Sequence, residues 1–281
     1  MRYRYIDVHC HPNLGELKKD QGDVIAKMRE DGVLGIVVGV DLESSREAVA
    51  LAQKHDHLWA TVGVHPNYTQ KESFDISNVS DLVKHPKVVG VGECGLDYFR
   101  QSTTQAGEEA KAGWKEKQWE VFKQHVALAL EHDKPLMVHC RPSKGSMDAY
   151  EEVANYLESF GQHPGVDQKT LRGNMHFFVG NVEMAKRFWR LGFTTSFTGV
   201  LTFTHDYDEV VREAPLDMIL TETDAPYAAP VPHRGRTNRP EYVKYVVEAI
   251  ARIRNQPLEE VQKAVLANAE RLFSLNIKIT S

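Results

Sequence analysis

The sequence is poor in cysteine and has no apolar run of about 18 residues or more, the length that a membrane span needs. Its three cysteines, Cys10, Cys94 and Cys140, are an odd number and lie far apart. They therefore make no disulfide framework and indicate a reducing setting. The N-terminal MRYRYIDVHCH lacks the apolar segment of a secretory signal. We expect a cytoplasmic protein that does not contact a membrane.

An excess of positive charge is also missing. The chain has 34 basic and 39 acidic residues, a net charge of −5 and a pI near 6.2. Counterion release alone therefore cannot hold a nucleic acid. A phosphate substrate would need metal ions or a local basic patch. The composition, 42% hydrophobic and 26% charged, is that of a globular protein and excludes disordered and fibrous classes.

What the sequence does contain is an alternation of short β-type runs with amphipathic runs. Eight strands are predicted, at Tyr5–His9, Gly35–Val40, Trp59–Val64, Val88–Glu93, Leu136–His139, Met175–Phe178, Thr194–Phe197 and Met218–Thr223. Helices are predicted at Asp23–Asp31, Ser44–His55, Val79–Lys84, Glu116–His132, Asp148–Phe160, Val182–Leu191, Tyr207–Glu213, Pro240–Arg254 and Leu258–Leu272. Arg100–Lys115 and Gly161–Arg172 are predicted to be loops.

This alternation predicts parallel strands joined through βαβ crossovers. Eight such units close into an α/β fold, the (β/α)8 TIM barrel, which needs about 250 residues. We therefore expect one domain over residues 1–281. The rival, a doubly wound open sheet, normally carries a Gly-rich nucleotide turn after its first strand. Here that strand ends in His-Cys-His instead.

Ionisable residues cluster at the predicted carboxyl ends of six strands, which in a barrel meet on one rim. They are His9, His11, His65, Glu93, His139, His176, Glu222 and Asp224. His9 and His11 share one strand face with Asp7, while Cys10 faces the helices. A buried, hydrogen-bonded histidine pair would explain His-x-His alone. The same pattern on several strands favours a site for two divalent metals.

Each cysteine adjoins a proposed ligand, and thiolates bind zinc well. Strand alternation turns a neighbour of an inward residue outward, so we expect Cys10, Cys94 and Cys140 to pack against the helices.

Several motifs, in order along nearly the whole chain, resemble the TatD family of metal-dependent deoxyribonucleases. They are YIDVHCH at 5–11, VGVHP at 62–66, VGVGECGLDY at 89–98, PLMVHCR at 135–141, His176–Phe177, LTETDAPYAAPVPHRG at 220–235 and NAERLF at 268–273. The resemblance implies a single-domain barrel of the amidohydrolase type.

The resemblance also implies roles for matching residues. One metal would be held by His9, His11, Glu93 and Asp224. The second would be held by Glu93, His139 and His176, with Glu93 as the bridge. Catalytic roles fall to Asp224, which would deprotonate the attacking water, and to Glu222, which matches a glutamate linked to nuclease action. Substrate-binding roles fall to His65, Arg141 and Arg234.

Two features depart from the family pattern. The sixth-strand motif usually reads His-Cys-Phe-Ser-Gly, whereas residues 176–180 here read His-Phe-Phe-Val-Gly, and the segment Arg100–Lys115 is longer than usual. Both border the side where the substrate would bind. Asp224 also has an alternative role, as a partner that orients His9 or His11.

Two metals about 3.5–4 Å apart can clamp a phosphodiester and activate a water. Neutral imidazoles suit Zn²⁺, Mn²⁺ or Fe²⁺, whereas Mg²⁺ prefers oxygen ligands, so Zn²⁺, Mg²⁺ and Mn²⁺ all stay candidates. Arginines could hold phosphate oxygens, and Arg234–Arg239 contains three of them. Tyr98, Phe99 and Tyr227 could stack bases or simply pack.

The leading function is therefore a metal-dependent hydrolase, a TatD-type DNase that trims single-stranded DNA from its 3′ end. Its partner would be DNA, with no obligate protein partner. One alternative keeps the metals and changes the bond, as in an amidohydrolase or esterase such as an aminoacyl-tRNA deacylase. Another is a metal-bound interaction module without catalysis.

Overall fold

Eight parallel strands pair in sequence order and form a nearly closed barrel. The computed structural model describes residues 3–69, 76–99, 107–160 and 171–277. The strands are β1 Tyr5–Cys10, β2 Val33–Val38, β3 Leu58–Val62, β4 Val88–Asp97, β5 Leu136–Arg141, β6 Gly173–Met175, β7 Phe193–Phe197 and β8 Ile219–Thr221. The predicted (β/α)8 fold is confirmed.

Helices alternate with the strands along the chain and pack outside the barrel. They are α1 Gly15–Lys19, α2 Gln21–Glu30, α3 Leu42–Lys54, α4 Ser77–Val83, α5 Glu108–Glu131, α6 Asp148–Phe160, α7 Val182–Arg190, α8 Asp208–Glu213, α9 Val243–Arg254 and α10 Leu258–Phe273. Short 3-10 turns lie at Pro66–Tyr68, Gly199–Thr202, Leu216–Met218 and Pro240–Tyr242. No helix in these described ranges is long and apolar enough to cross a membrane.

Local chemistry accounts for several of these elements. Every residue of β2, VLGIVV, is buried, as expected for a parallel strand covered by helices on its outer face. Helix α3 begins with a capping box, in which Asp41 and Ser44 satisfy each other's backbone N–H groups. Helix α7 begins where the Asn181 side chain accepts a hydrogen bond from the N–H of Met184.

The structure differs from the sequence predictions at several elements. Helix α5 begins at Glu108, so residues 108–115 of the predicted loop Arg100–Lys115 are helical. Their Glu, Ala and Lys content favours a helix more than their polarity indicates a loop. Helix α1 was not predicted. Strand β6 ends at Met175, so His176 and Phe177 follow the strand, and Phe177 has a positive φ of 45°. Residues 100–106, and residues 161–170 of the other predicted loop, lie outside the described residues.

The barrel closes between β8 and β1 through the buried side chain of Asp7. Its carboxylate accepts hydrogen bonds from the Thr223 N–H at 2.9 Å and from the Thr223 hydroxyl. Just beyond, the N–H of Asp224 donates to the His9 carbonyl at 2.9 Å. Burial raises the pKa of Asp7 well above its ordinary value, against these hydrogen bonds. The closure brings the ends of the first and last strands together, with His9 beside Asp224.

Two glycines let β4 approach β5 closely. Gly92 and Gly95 have φ values of +138° and +134°, which residues with a side chain rarely adopt. A Cβ atom at Gly95 would overlap the backbone carbonyl oxygen of His139, its register partner on β5. The register shifts between Val91 and Cys94, and Glu93 lies within this irregularity. The glycines of the GECG motif therefore place a carboxylate inside the barrel.

We predict that Gly95→Ala destabilises the protein by about 3 kcal/mol or more, because the new methyl meets backbone rather than a movable side chain. Gly113→Ala is the matched control, since its Cβ would meet no atom within 4 Å on the exposed face of α5. That control should stabilise the helix by roughly 0.5–1 kcal/mol. Urea unfolding measures both changes, and a Gly95→Ala variant as stable as the parent chain would contradict the argument.

Candidate metal centre

Four histidines and the carboxylate of Asp224 surround the carboxylate of Glu93 at the carboxyl ends of the strands. Glu93 Oε2 lies 3.3 Å from His9 Nε2 and 3.9 Å from His11 Nε2. Its other oxygen, Oε1, lies 2.9 Å from His139 Nδ1 and 3.0 Å from His176 Nε2. Each oxygen of one side chain therefore faces a different pair of imidazoles.

Asp224 completes the first of these groups. Its Oδ1 lies 3.4 Å from His11 Nε2 and 3.7 Å from His9 Nε2, and its side chain is 14% exposed. Burial opposes ionisation of Asp224, but the hydrogen bond with His11 and the nearby His176 and His9 together outweigh it and lower the pKa of the carboxyl. Asp224 is therefore an ionised oxygen donor that also lines the pocket described below.

Hydrogen bonds behind the histidines decide which ring nitrogen faces the centre. His11 Nδ1 lies 3.0 Å from the Val38 carbonyl and His176 Nδ1 lies 3.1 Å from Glu222 Oε1, so each ring donates its Nδ1–H there. On the opposite side of its ring from Glu93, His139 presents Nε2 to Asp97 Oδ2 at 3.5 Å. In their neutral forms, His11 and His176 thus turn an electron pair toward Glu93, and so does His139 when its proton is on Nε2.

The ring nitrogens around Glu93 converge in pairs, so that each pair can share a proton or bind one cation. His9 Nε2 and His11 Nε2 are 3.1 Å apart, and His139 Nδ1 and His176 Nε2 are 3.2 Å apart. Burial alone would raise the pKa of Glu93, but the histidines around it, His176 and His9 and the hydrogen-bonded His139, hold that pKa well below its ordinary value. A donor set of imidazole nitrogens and carboxylate oxygens, arranged like this, fits a divalent transition metal.

His65 also faces Glu93, but it differs from the other histidines in which ring nitrogen carries the proton. Its Nδ1 accepts a hydrogen bond from the Asn67 N–H at 3.0 Å, so the proton of the neutral ring is on Nε2. That nitrogen lies 3.4 Å from Glu93 Oε1. Burial lowers the pKa of His65 to about 3, which keeps the ring neutral. His65 therefore offers a hydrogen-bond donor, not an electron pair, to the centre.

A cavity of about 1050 Å³ opens above this centre. Its floor includes His11, His65, Glu93, His139, His176 and Asp224. On one wall, the guanidinium carbon of Arg141 lies 4.1 Å from the centre of the Phe99 ring. Phe177 and Val179, the two residues that depart from the family's sixth-strand motif, line the cavity as well. The pocket therefore combines a cation site with an arginine and aromatic rings.

A (β/α)8 barrel with this donor cluster at its strand ends defines the chain as a metal-dependent hydrolase. The family described as "TatD related DNase" matches residues 6–274, and the chain belongs to this TatD family. It is 35% identical over 274 residues to a Bacillus subtilis protein described as the uncharacterized metal-dependent hydrolase YabD, covering 96% of this chain and 99% of that protein.

Solved structures of similar proteins have the same fold. The crystal structure of YjjV, a TatD homologue from Escherichia coli, superposes with a TM-score of 0.80 at 26% identity, covering 98% of this chain and all of that one. An uncharacterized amidohydrolase from Saccharomyces cerevisiae, 17% identical, superposes with a TM-score of 0.75 over 97% of this chain and all of that one. At that identity the second likeness shows the fold alone.

The structure brings most of the predicted site residues together, with two exceptions. Glu222 is fully buried and lies behind His176, where it also accepts hydrogen bonds from the Phe177 N–H at 2.8 Å and from Ser196 Oγ at 2.5 Å. Arg234 is exposed and stacks on Phe203, with its guanidinium carbon 3.9 Å from the ring centre. Their predicted contacts with substrate stay predictions.

The residues next to the centre include some whose position the sequence predicted and others that it missed. All three cysteines are buried, and burial raises their thiol pKa values well above the ordinary value. The stacking alternative is wrong for Tyr98, which is fully buried and donates its hydroxyl to Glu152. Asp97 was missed, although it belongs to the quoted VGVGECGLDY motif, because β4 runs on to Asp97 beyond the predicted strand end at Glu93.

We predict that Glu222→Gln weakens metal affinity about 10- to 100-fold, because the amide places a donor against groups that already donate. Excess metal should then restore most of the turnover of a chromogenic phosphodiester. Glu152→Gln is the matched control, since Glu152 accepts hydrogen bonds from Tyr98 and Trp119 on the outer helix α6. Titration calorimetry and turnover against metal concentration check this. Turnover that stays low at saturating metal would instead indicate direct contact with the substrate.

Proposed function

We propose that the chain is a deoxyribonuclease that hydrolyses phosphodiester bonds of single-stranded DNA from the 3′ end. The observation that carries the proposal is the position of Glu93, which faces two histidine pairs at the floor of an open pocket. Two cation sites side by side suit an anionic diester, which needs its charge neutralised before a nucleophile can approach. The description of the matched family as "TatD related DNase" supports the same substrate class.

In this proposal, two divalent cations would share the ligands around Glu93. His9, His11, Glu93 and Asp224 would hold one, and Glu93, His139 and His176 would hold the other. When bound, such cations neutralise the phosphate and lower the pKa of a water molecule toward neutrality. The high share of imidazole nitrogens among these ligands favours Zn²⁺ or Mn²⁺ over Mg²⁺ at whichever site binds its cation more tightly.

Other residues of the pocket would hold and orient the substrate. The Nε2–H of His65 points to the centre and can donate to a phosphate oxygen. Arg141 lines the pocket and offers paired donors of fixed geometry for a second oxygen. Asp224 is ionised and borders the pocket, so it can take the proton of the attacking water.

The proposal is tested by supplying metal-loaded protein with labelled single-stranded DNA, a carboxylic ester and an amide in parallel. Reactions with Mg²⁺, Mn²⁺ and Zn²⁺ are compared with reactions in EDTA. Stepwise shortening of the DNA from its 3′ end supports the proposal. Hydrolysis of the ester or amide without any cleavage of DNA would overturn it and indicate an amidohydrolase or esterase.

We predict that Glu93→Ala empties both cation sites, because this carboxylate faces both histidine pairs. His176→Ala should empty one site and leave the other occupied. Elemental analysis of metal per chain after gel filtration measures the difference. The control is Glu131→Ala, which removes a carboxylate whose side chain is 70% exposed. Two metal equivalents retained in Glu93→Ala would show that Glu93 is not the bridge.

We predict that Asp224→Asn keeps much of its metal but loses about 10²- to 10⁴-fold in turnover, the usual range for a general base. The amide keeps one oxygen that can bind a cation and removes the proton acceptor. Rates are measured against metal concentration for both forms. Asp206→Asn serves as the control because Asp206 is exposed on the segment that follows β7. Near-native turnover at saturating metal would contradict the role of Asp224 as base.

A further inference from the structure

Exposed large apolar side chains concentrate beside the pocket mouth. The described residues expose four of them, namely Phe203, Tyr227, Val231 and Leu258. Phe203 at 43%, Tyr227 at 58% and Val231 at 45% exposure all belong to the segments that follow β7 and β8. The ends of those strands border the metal centre. Exposed apolar groups that gather at one place usually mark a binding surface, whereas single ones need no explanation.

The fourth residue, Leu258, lies at the other end of the barrel. It begins helix α10, a few residues after Arg254. Arg254 donates to the carbonyl groups of Val211 and Ala214, which precede the start of β8. Leu258 is therefore a comparable exposed side chain that is remote from the pocket.

The segments after β7 and β8 are fixed to each other before any ligand arrives. The Val231 N–H donates to Thr202 Oγ1 at 2.8 Å. The Asn238 side chain donates to the carbonyls of Thr223 and Tyr227 at 2.8 and 2.6 Å. A Cβ atom at Gly199 would lie only 2.9 Å from the Ala228 carbonyl oxygen, so the two segments touch closely. A rigid surface loses little entropy when it binds a partner.

Charge on this surface indicates the kind of partner. The guanidinium carbon of Arg234 lies over the Phe203 ring, 3.9 Å from its centre, and Nη1 donates to the Ala229 carbonyl at 2.8 Å. Arg236 on the same segment is exposed, and the exposed Asp206 lies beyond Phe203 in the chain. The surface is thus aromatic and only locally cationic. Such a surface suits nucleobases, which stack on aromatic rings and on guanidinium planes.

Tyr227 connects this surface to the pocket, because the same residue lines the cavity above the metal centre. A strand whose end lies in the cavity would pass over Tyr227 before it reaches Phe203 and Arg234. Base pairing and stacking in a duplex would hide the faces of the bases. The geometry therefore requires unpaired nucleotides.

We propose that Tyr227, Phe203 and Arg234 form a stacking surface that binds the bases of single-stranded DNA outside the pocket. We call this the outer stacking surface. The proposal rests on the proposed function and deepens it, since it makes a chain of several nucleotides the preferred substrate. The bases supply the affinity, which explains how a protein of net charge −5 can hold a polyanion.

The test measures binding with divalent cations withheld, so that no cleavage occurs, and circular dichroism confirms that each variant is folded. Fluorescence anisotropy compares an octathymidylate, a dithymidylate and an octamer backbone that carries tetrahydrofuran residues in place of nucleosides. Phe203→Ala should weaken binding of the octathymidylate about 5- to 100-fold, the scale of one lost base stack. Binding of the dithymidylate and of the baseless octamer should change little.

Two further variants sharpen the test. Phe203→Trp keeps an aromatic face and should restore the octathymidylate affinity. Leu258→Ala removes a similar exposed side chain elsewhere and should leave all three affinities unchanged. In metal-loaded protein, Phe203→Ala should raise KM for the long strand and leave the turnover of a chromogenic phosphodiester as it was.

Equal binding of the octathymidylate and the baseless octamer by the parent chain would overturn the outer stacking surface, even if DNA is cleaved. Unchanged octathymidylate binding in Phe203→Ala would overturn it as well. Base-dependent binding that Phe203→Ala removes would support the surface, even where no cleavage of DNA is found. Anisotropy thus decides this proposal, and the hydrolysis assay separately decides the proposed function.

Discussion

The metal centre depends on a single constraint, that one buried carboxylate must present each of its oxygens to a different pair of imidazoles. Glu93 meets it because β4 has an irregular register beside Gly92 and Gly95. These glycines allow backbone to approach backbone where a side chain would not fit. The closure of the barrel through Asp7 and Thr223 adds the last ligand candidate, because it brings Asp224, just beyond β8, next to His9.

The close approach of these ligand atoms is favourable only when a proton or a cation lies between them. The ligand atoms of Glu93, His139 and His176 lie within 2.9–3.2 Å of one another on the floor of the cavity. The Val38 carbonyl and Glu222 hold the rings of His11 and His176 by hydrogen bonds, and Asp97 lies 3.5 Å from Nε2 of His139. These contacts orient the ligands for a metal, and a cation that binds the folded chain alone stabilises it.

The sequence predicted the strands and the cluster of polar residues at their ends because both follow from local patterns. Alternating apolar runs set the eight strands, and polar residues at their ends, such as His139 and Asp224, fall together in any parallel barrel. Asp97 and Ser196 could not be assigned in the same way, because their roles depend on contacts between strands. The early start of α5 at Glu108 was missed because a polar, small-residue stretch can be either loop or helix until packing decides.

The residues that fit cations and the residues that differ from the TatD pattern lie in different parts of this barrel. Residues that fit cations lie on the strands or within three residues of their ends, and they match the TatD pattern one by one. The pocket wall differs from that pattern at Phe177 and Val179, which both line the cavity. The rim carries Phe203 and Tyr227 on segments that no strand constrains. Changes on the wall and rim can therefore alter which molecule is bound without disturbing how its bond is broken.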